Sequence, residues 1–267
     1  MICQEFTEDD IAYLPALEPE GWGDIRPRFA YFLKSEHCKP IKIVENGQPV
    51  AVGTTIFHED TAWLACIITH NDHRNKGLGS AITRHLIESV DRKRYPTIYL
   101  DATEFGYPVY LKQGFEVEGQ YAHLRREDGV PERQHSGSIQ PFAEHFRETA
   151  YAIDRMVSGE DRRGVMAEFL ADAFVCIGPQ GDLQGVYLPT WSDGPIMAAN
   201  DNAGFALMLF RSAMRPVSIL PMGNTAGLKY LNEIGYQMYR TSRRMILGPR
   251  RIWHPERLYN RISGALG

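Results

Sequence analysis

The stretch Trp63-Leu64-Ala65-Cys66-Ile67-Ile68-Thr69-His70-Asn71-Asp72-His73-Arg74-Asn75-Lys76-Gly77-Leu78-Gly79-Ser80 decides how the chain is read. It begins with an unbroken apolar run, as a strand buried on both faces requires. Beyond it, from residue 76 to 90, Ile82, Leu86, Ile87 and Val90 recur on one stripe at helical spacing. Between strand and helix lies Arg74-x-x-Gly77-x-Gly79. A glycine-bearing turn that opens a helix lets several backbone N–H groups converge with no Cβ in the way. The helix dipole adds positive potential at the same place. The turn is therefore read as a cradle for a phosphate or pyrophosphate, with Arg74 and Lys76 as added cations. No Gly-Lys-Ser/Thr follows, so a Walker loop is excluded, and a dinucleotide fingerprint fits poorly because Arg74 stands where its first glycine would be. Taken alone, the hexapeptide also fits a surface turn whose glycines only shape a helix start.

Working outward, helices are expected at 6–17 and 22–33 and strands at 41–44, 49–57 and 61–69. The cradle helix at 76–90 follows, then a strand at 97–100 and a short helix ending at 112. Helices interleaved with strands predict a mixed α/β sheet layered by helices. The polar segment Arg125-Arg126-Glu127-Asp128-Gly129-Val130-Pro131-Glu132 and its continuation to 141 lack an apolar period and read as a linker. The boundaries expected are a first domain at 1–127 and a second at 140–267. The second shows helices at 142–157 and 163–174, a β-rich stretch at 175–197 and a helix at 203–214. A strand at 217–220, a segment at 225–234 and a strand at 242–247 complete it. The tail beyond 250 carries Trp253, Leu258, Tyr259 and Ile262, which need cover, so it is expected to dock.

A second informative block runs Leu100-Asp101-Ala102-Thr103-Glu104-Phe105-Gly106-Tyr107-Pro108-Val109-Tyr110-Leu111-Lys112-Gln113-Gly114-Phe115. Together with the strand and Arg-x-x-Gly-x-Gly turn upstream, it resembles the GNAT superfamily of acyl-CoA N-acyltransferases, in that family's order and across nearly all of residues 1–125. The resemblance implies an acetyl-CoA-dependent N-acetyltransferase. Backbone groups of Ile67, Ile68 and Thr69 would pair with the pantetheine arm like an added strand. Amides of Asn75, Lys76, Gly77, Leu78, Gly79 and Ser80 would hold the pyrophosphate, with Arg74 beside them. Thr103 stands where many members place an asparagine against the arm, and its hydroxyl both donates and accepts. Tyr110 matches the tyrosine that protonates the departing thiolate, and Tyr107 is a lesser candidate. A core-packing aromatic is the alternative reading of Tyr110. For the general base, spacing does not choose among Glu104, Asp101 and His70; His73 is expected to be exposed.

The second half contains Asn224-Thr225-Ala226-Gly227-Leu228-Lys229-Tyr230-Leu231-Asn232-Glu233-Ile234-Gly235-Tyr236. Aligned on the first block, Asn224 falls on Thr103, Gly227 on Gly106, Leu231 on Tyr110, and Gly235-Tyr236 on Gly114-Phe115. An internal repeat follows, and the chain resembles tandem GNAT proteins whose second domain is a divergent acetyltransferase-like module, the YitH-like group. The fold class expected is thus α/β, two GNAT folds in tandem. The repeat lacks Arg-x-x-Gly-x-Gly; Asn200 or Asp201 is expected to cap the matching helix, the carboxylate of Asp201 competing with a phosphate. A structural or substrate-side role is expected of it.

Composition agrees. The 267 residues are 43% hydrophobic and 23% charged, as in globular proteins. A net charge of -4 gives no footprint for nucleic acid, and no apolar run reaches the ~20 residues of a membrane span. The acidic N-terminus has no secretory-signal pattern. Cys3, Cys38, Cys66 and Cys176 are scattered, without metal-ligand spacing. A cytoplasmic enzyme acting on a small-molecule or peptide amine, without a metal, is the expectation. A non-catalytic acyl-CoA sensor and a purely structural module are the alternatives.

Overall fold

The computed structural model describes residues 2–127 and 138–264. The chain divides into two compact units: Met1–Glu116 with Met245–Pro249 and Gly264–Gly267, and Val117–Arg244 with Arg250–Ser263. The expected linker falls mainly on 128–137, outside the described residues.

The first unit opens with β1 (Cys3–Glu5) and a 3-10 turn at Glu8–Tyr13, followed by α1 (Leu14–Leu17) and α2 (Arg26–Lys34). The helix expected from residue 22 starts later. Gly23 adopts φ +66°, outside helical geometry, and Pro27 takes a place in the first turn, where its missing N–H is harmless. Next come β2 (Cys38–Glu45), β3 (Gln48–Phe57) and β4 (Thr61–Thr69), then α3 (Leu78–Glu88), β5 (Thr97–Ala102) and α4 (Tyr107–Lys112). The sheet order is β1-β2-β3-β4-β5, antiparallel except for the parallel β4–β5 pair. Residues Met245–Leu247 continue it beyond β5. Thr97 Oγ1 ties this segment down by donating to Pro249 O at 2.8 Å.

Strand alternation separates the two faces of this sheet. Ile41, Ile43, Ala51 and Ile67 pack with Leu78 and Ile82 of α3. Lys42 points to the opposite face, where its Nζ lies 2.5 Å from Asp10 of the N-terminal 3-10 turn. Phe29 of α2 packs tilted against Phe6, with ring centroids 4.8 Å apart. Helices thus cover both faces, as a parallel step in a sheet demands.

The second unit holds most of β6 (Glu116–Arg125), then β7 (Ile139–Pro141), α5 (Arg147–Ser158), α6 (Arg163–Ala167), β8 (Phe174–Ile177), β9 (Leu183–Tyr187) and β10 (Ile196–Ala198). It continues through α7 (Asp201–Ser212), β11 (Val217–Pro221), α8 (Thr225–Glu233), β12 (Gln237–Leu247, shared with the first unit) and β13 (Leu258–Asn260). The helix expected at 163–174 is instead α6, a 3-10 turn at Leu170–Asp172, and the start of β8. Phe174 is drawn into the sheet by pairing with Tyr187, and sheet pairing outweighs the helical spacing of the preceding apolar residues. β6 and β1, which periodicity did not reveal, are strands by virtue of their partners, β11 and β2. The tail docks as expected: Tyr259 and Ile262 are buried, while Ile252 is not.

Candidate active site

A bulge in β4 starts the site. Val52 pairs with Ile68 and Thr54 with Ala65, so Cys66 and Ile67 together face Gly53. Cys66 takes φ +49°, a left-handed conformation rare outside glycine. Such a bulge bends its strand and increases the twist. The parallel register with β5 accordingly runs only from Thr61↔Thr97 to Trp63↔Tyr99. From Leu64 onward the two strands part. Gly53 lets α3 come close, because a Cβ there would stand 3.0 Å from Leu86 Cδ1.

β4 then leads into the cradle. His70 Nδ1 accepts from the Asp72 amide at 3.2 Å, which shapes a 3-10 turn at Asn71–His73. Asn75 (φ +61°) and Gly77 (φ +81°) are both left-handed. A Cβ at Gly77 would meet nothing within 4 Å, so the glycine serves backbone conformation and open approach instead of packing. The first helical bond runs from Ala81 N–H to Gly77 O at 2.9 Å. The amides of Leu78, Gly79 and Ser80 therefore lie in the first turn, where a helix supplies no acceptor. Buried Leu78 anchors this turn in the α3 cluster. Arg74, Asn75, Lys76 and Gly77 are exposed. The Arg74 guanidinium lies 6.0 Å from the ring centroid of Phe105, itself 89% exposed.

Tyr110 comes from α4. Its ring crosses Gly106, where a Cβ would stand 2.7 Å from Cε2 and 3.1 Å from the hydroxyl, so only glycine leaves room for it. Phe115 closes edge-on at 6.2 Å. The side chain is buried, and burial together with the neighbouring Cys66 raises the phenol pKa far above its ordinary value. Tyr110 thus holds its proton beside the β4 bulge at any physiological pH. Burial likewise pushes the Cys66 thiol up to about 11, so it is neutral there. Thr103 Oγ1 accepts from Gly106 N–H at 3.3 Å in the turn before α4, which leaves the hydroxyl proton to donate elsewhere. Tyr107, at the first position of α4, is half-buried.

Two base candidates lose force. His70 spends its Nδ1 lone pair on Asp72, which places the proton of the neutral ring on Nε2. Glu104 is exposed in the turn before α4, whereas Asp101 is half-buried on β5, where a Cβ on Gly264 would stand 3.2 Å from Oδ2. His73, expected to be exposed, is half-buried with Nδ1 2.6 Å from Glu45 Oε2. Sequence reasoning did not mark Arg28 of α2, whose positive charge partly offsets the effect of burial on the Cys66 thiol. No periodicity or motif marks it.

Residues 3–115 match the sequence profile of the acetyltransferase (GNAT) family. This segment is a GNAT acetyltransferase domain. No curated protein matches the sequence. Among solved structures, the chain is similar to a candidate acetyltransferase from Pyrococcus horikoshii at 20% identity and TM-score 0.82, covering 100% of this chain and 95% of that one. A tandem GNAT protein from the clavulanic acid biosynthesis pathway gives 12% identity and TM-score 0.59, with 91% and 94% covered. A GCN5-related N-acetyltransferase from Sphaerobacter thermophilus gives 12% identity and TM-score 0.61, with 95% and 98% covered. These likenesses show the fold.

The second unit repeats part of the GNAT domain's local geometry. Asn224 Oδ1 accepts from Gly227 N–H at 2.7 Å, as Thr103 Oγ1 does from Gly106. Gly235 has φ +92° and Gly114 φ +89°. Tyr236 N–H donates to Leu231 O, and Phe115 N–H to Tyr110 O, at 2.9 and 3.1 Å. The equivalents of the bulged strand and cradle differ. Asn200 caps α7 through Ala203 N–H at 3.0 Å. Asp201 does not cap; it accepts from Arg257 Nη1 at 2.8 Å and Tyr259 OH at 2.6 Å. The Tyr259 ring fills the place a Cβ on Gly204 would take, 2.3 Å away. β13 pairs with β10 (Ile196↔Asn260), while Asn260 Oδ1 accepts from Ile219 N–H of β11 at 2.9 Å. The tail therefore lies between β10 and β11. In the GNAT domain β4 and β5, in the corresponding places along the chain, part with no strand between them.

His123 and Ser242 in the second unit mimic a base and nucleophile at 2.9 Å. Arg240 Nε donates to His123 Nδ1 at 3.2 Å, so Nε2 carries the proton and donates to the serine. Burial and Arg240 hold this histidine down at about 4. It is a neutral structural link. Among the described residues, no group of three His, Cys, Asp or Glu is placed to hold a metal ion, and no helix is long and apolar enough to cross a membrane.

Proposed function

We propose that the GNAT domain transfers an acetyl group from acetyl-CoA to a primary amine by direct attack. One observation carries this reading: the bulge that parts β4 from β5 opens between an amide-lined helix start and a protonated tyrosine. The residues fit an acyl-CoA. The parted edge of β4 at Ile67, Ile68 and Thr69 offers backbone donors and acceptors to the amide-bearing arm. The left-handed Asn75 and Gly77 turn their amides, with those of Lys76 and Leu78–Ser80, toward one anion site, as helix starts do for phosphates. Arg74 adds charge at the rim. The Thr103 hydroxyl has a proton to give the arm.

Acetyl-CoA would supply an activated thioester, whose sulfur leaves as a thiolate of pKa ~8.5. Tyr110 holds its proton beside the bulge and is the acid for that sulfur. The surrounding apolar side chains of Ile68, Leu100 and Phe115 are buried and keep water from competing with the amine.

We further propose a single acyl-CoA site per chain. In the second unit Asn200 caps the helix start, Tyr259 packs on it, and β13 occupies the gap between strands that an arm would need. Its role is then structural or on the substrate side.

The decisive experiment follows free thiol during incubation of acetyl-CoA with pools of amines. Amine-dependent release is expected. Tyr110→Phe keeps the ring and removes the proton, so kcat falls by about 10²–10⁴-fold while acetyl-CoA affinity holds. Near wild-type turnover in this variant removes Tyr110 from the chemistry, and thiol release that no amine accelerates leaves only a binding protein.

A further inference from the structure

Two exposed arginines of the second unit share one face of neighbouring strands. His123 and Arg125 alternate onto one face of β6, as Arg240 and Ser242 do on β12, the next strand in the sheet. His123 Nε2 lies 2.9 Å from Ser242 Oγ and its Nδ1 3.2 Å from Arg240 Nε, so the two faces are the same one. The Tyr239 ring stands beside them. Its centroid is 4.9 Å from the Arg125 guanidinium, 5.7 Å from that of Arg240, and 6.2 Å from the His123 ring, edge-on. Tyr239 is nonetheless 46% exposed.

This arrangement is held in place, yet its charge is not offset. His123 is buried and spends its Nδ1 lone pair on Arg240, while Ser242 takes the proton of Nε2. Arg240 is thereby fixed through Nε, and its Nη groups remain to bind something else. A guanidinium stacked on an aromatic ring likewise keeps its N–H edge free. Among the described residues neither Arg125 nor Arg240 has a carboxylate within ion-pair distance. Like charges facing each other on neighbouring strands destabilise a sheet unless something is gained by keeping them. Local composition adds to the positive field: from residue 211 onward ten Lys and Arg stand against two Glu, although the chain as a whole carries -4.

We infer that Arg125 and Arg240 bind the phosphate of a small phosphomonoester whose organic body lies against Tyr239. Each guanidinium fork matches phosphate oxygens through paired N–H···O bonds. A phosphomonoester carries nearly two negative charges at neutral pH and three acceptor oxygens, so it answers both forks at once. A carboxylate carries one charge and fills one fork. The exposed part of the Tyr239 ring is apolar surface that an inorganic anion leaves wet. The Ser242–His123 pair acts through Arg240 as its positioning group. All five residues belong to the second unit, so the inference stands apart from the acyl-transfer reading of the first.

The test titrates the full chain with phenyl phosphate, inorganic phosphate, benzoate and a single-stranded oligonucleotide, and follows the arginine Nε–H signals by NMR. The signals of Arg125 and Arg240 are identified by their loss in Arg125→Gln and Arg240→Gln, which separates this site from the cradle of the GNAT domain. Phenyl phosphate should shift both signals saturably, bind more tightly than inorganic phosphate or benzoate, and weaken with added salt. Each Gln variant should lose about tenfold in affinity, read at the remaining arginine. His123→Phe removes the acceptor and should also weaken binding, and His123→Gln, which returns an acceptor, should restore part of it. If the His123 variants do not fold, the two arginine variants decide. The absence of any saturable shift, or an affinity unchanged in both arginine variants, overturns the inference. Benzoate or inorganic phosphate binding as tightly as phenyl phosphate overturns it too. Tighter binding of the oligonucleotide would assign the patch to nucleic acid and overturn it equally.

Discussion

At the scale of single residues, the first unit concentrates unusual backbone where chemistry is proposed. Cys66, Asn75 and Gly77 are left-handed within one short stretch. For a residue other than glycine this costs about 1–3 kcal/mol and persists only where the surroundings hold it. Leu78 beneath the turn and α3 behind the bulge do so here. Gly77→Val puts a β-branched side chain at φ +81° in the mouth of the cradle. Acetyl-CoA affinity by calorimetry should fall by about tenfold or more. Arg74→Ala removes only an exposed rim charge and should weaken binding less. Unchanged affinity in the glycine variant would show that backbone amides at this turn do not hold the cofactor.

At the scale of elements, the same sequence of strand, helix, strand and helix meets two fates. After β4 the neighbouring strand parts and the gap stays open; after β10 the tail strand fills it. Asn260 is the device. Fully buried, it accepts from Ile219 N–H and donates to Asp193 O and Gly194 O at 2.9, 3.0 and 2.9 Å, so one side chain satisfies backbone that a longer strand would otherwise pair. Asn260→Ala abandons these groups in a site closed to water and should lower stability by about 2–3 kcal/mol. A shifted urea midpoint checks this, and an unmoved midpoint would mean that the tail is not what holds β10 and β11.

At the scale of the whole chain, the asymmetry between the units predicts stoichiometry. Titration with acetyl-CoA should reach one equivalent per chain, because the second unit meets its own anion-attracting helix start with Asn200 and Tyr259. Two equivalents would contradict the reading of β13 as a filler of the gap.

Much of this was legible in residue order. Glycine spacing, the apolar strand ahead of it and the Tyr110-to-Phe115 ending are local signals, and the backbone obeys them locally: α3 opens at Gly77, and the paired glycines Gly114 and Gly235 share one conformation. The alignment of Asn224 on Thr103 was likewise legible in the sequence, and each accepts a hydrogen bond from the glycine three residues on. What residue order did not carry is everything that depends on partners distant along the chain. β1 and β6 exist because of the strands they pair with, and Asp201 binds Arg257 and Tyr259 instead of capping its helix. Periodicity and turn chemistry act over a few residues, while long-range pairing and buried charge are settled by what the closed chain brings together.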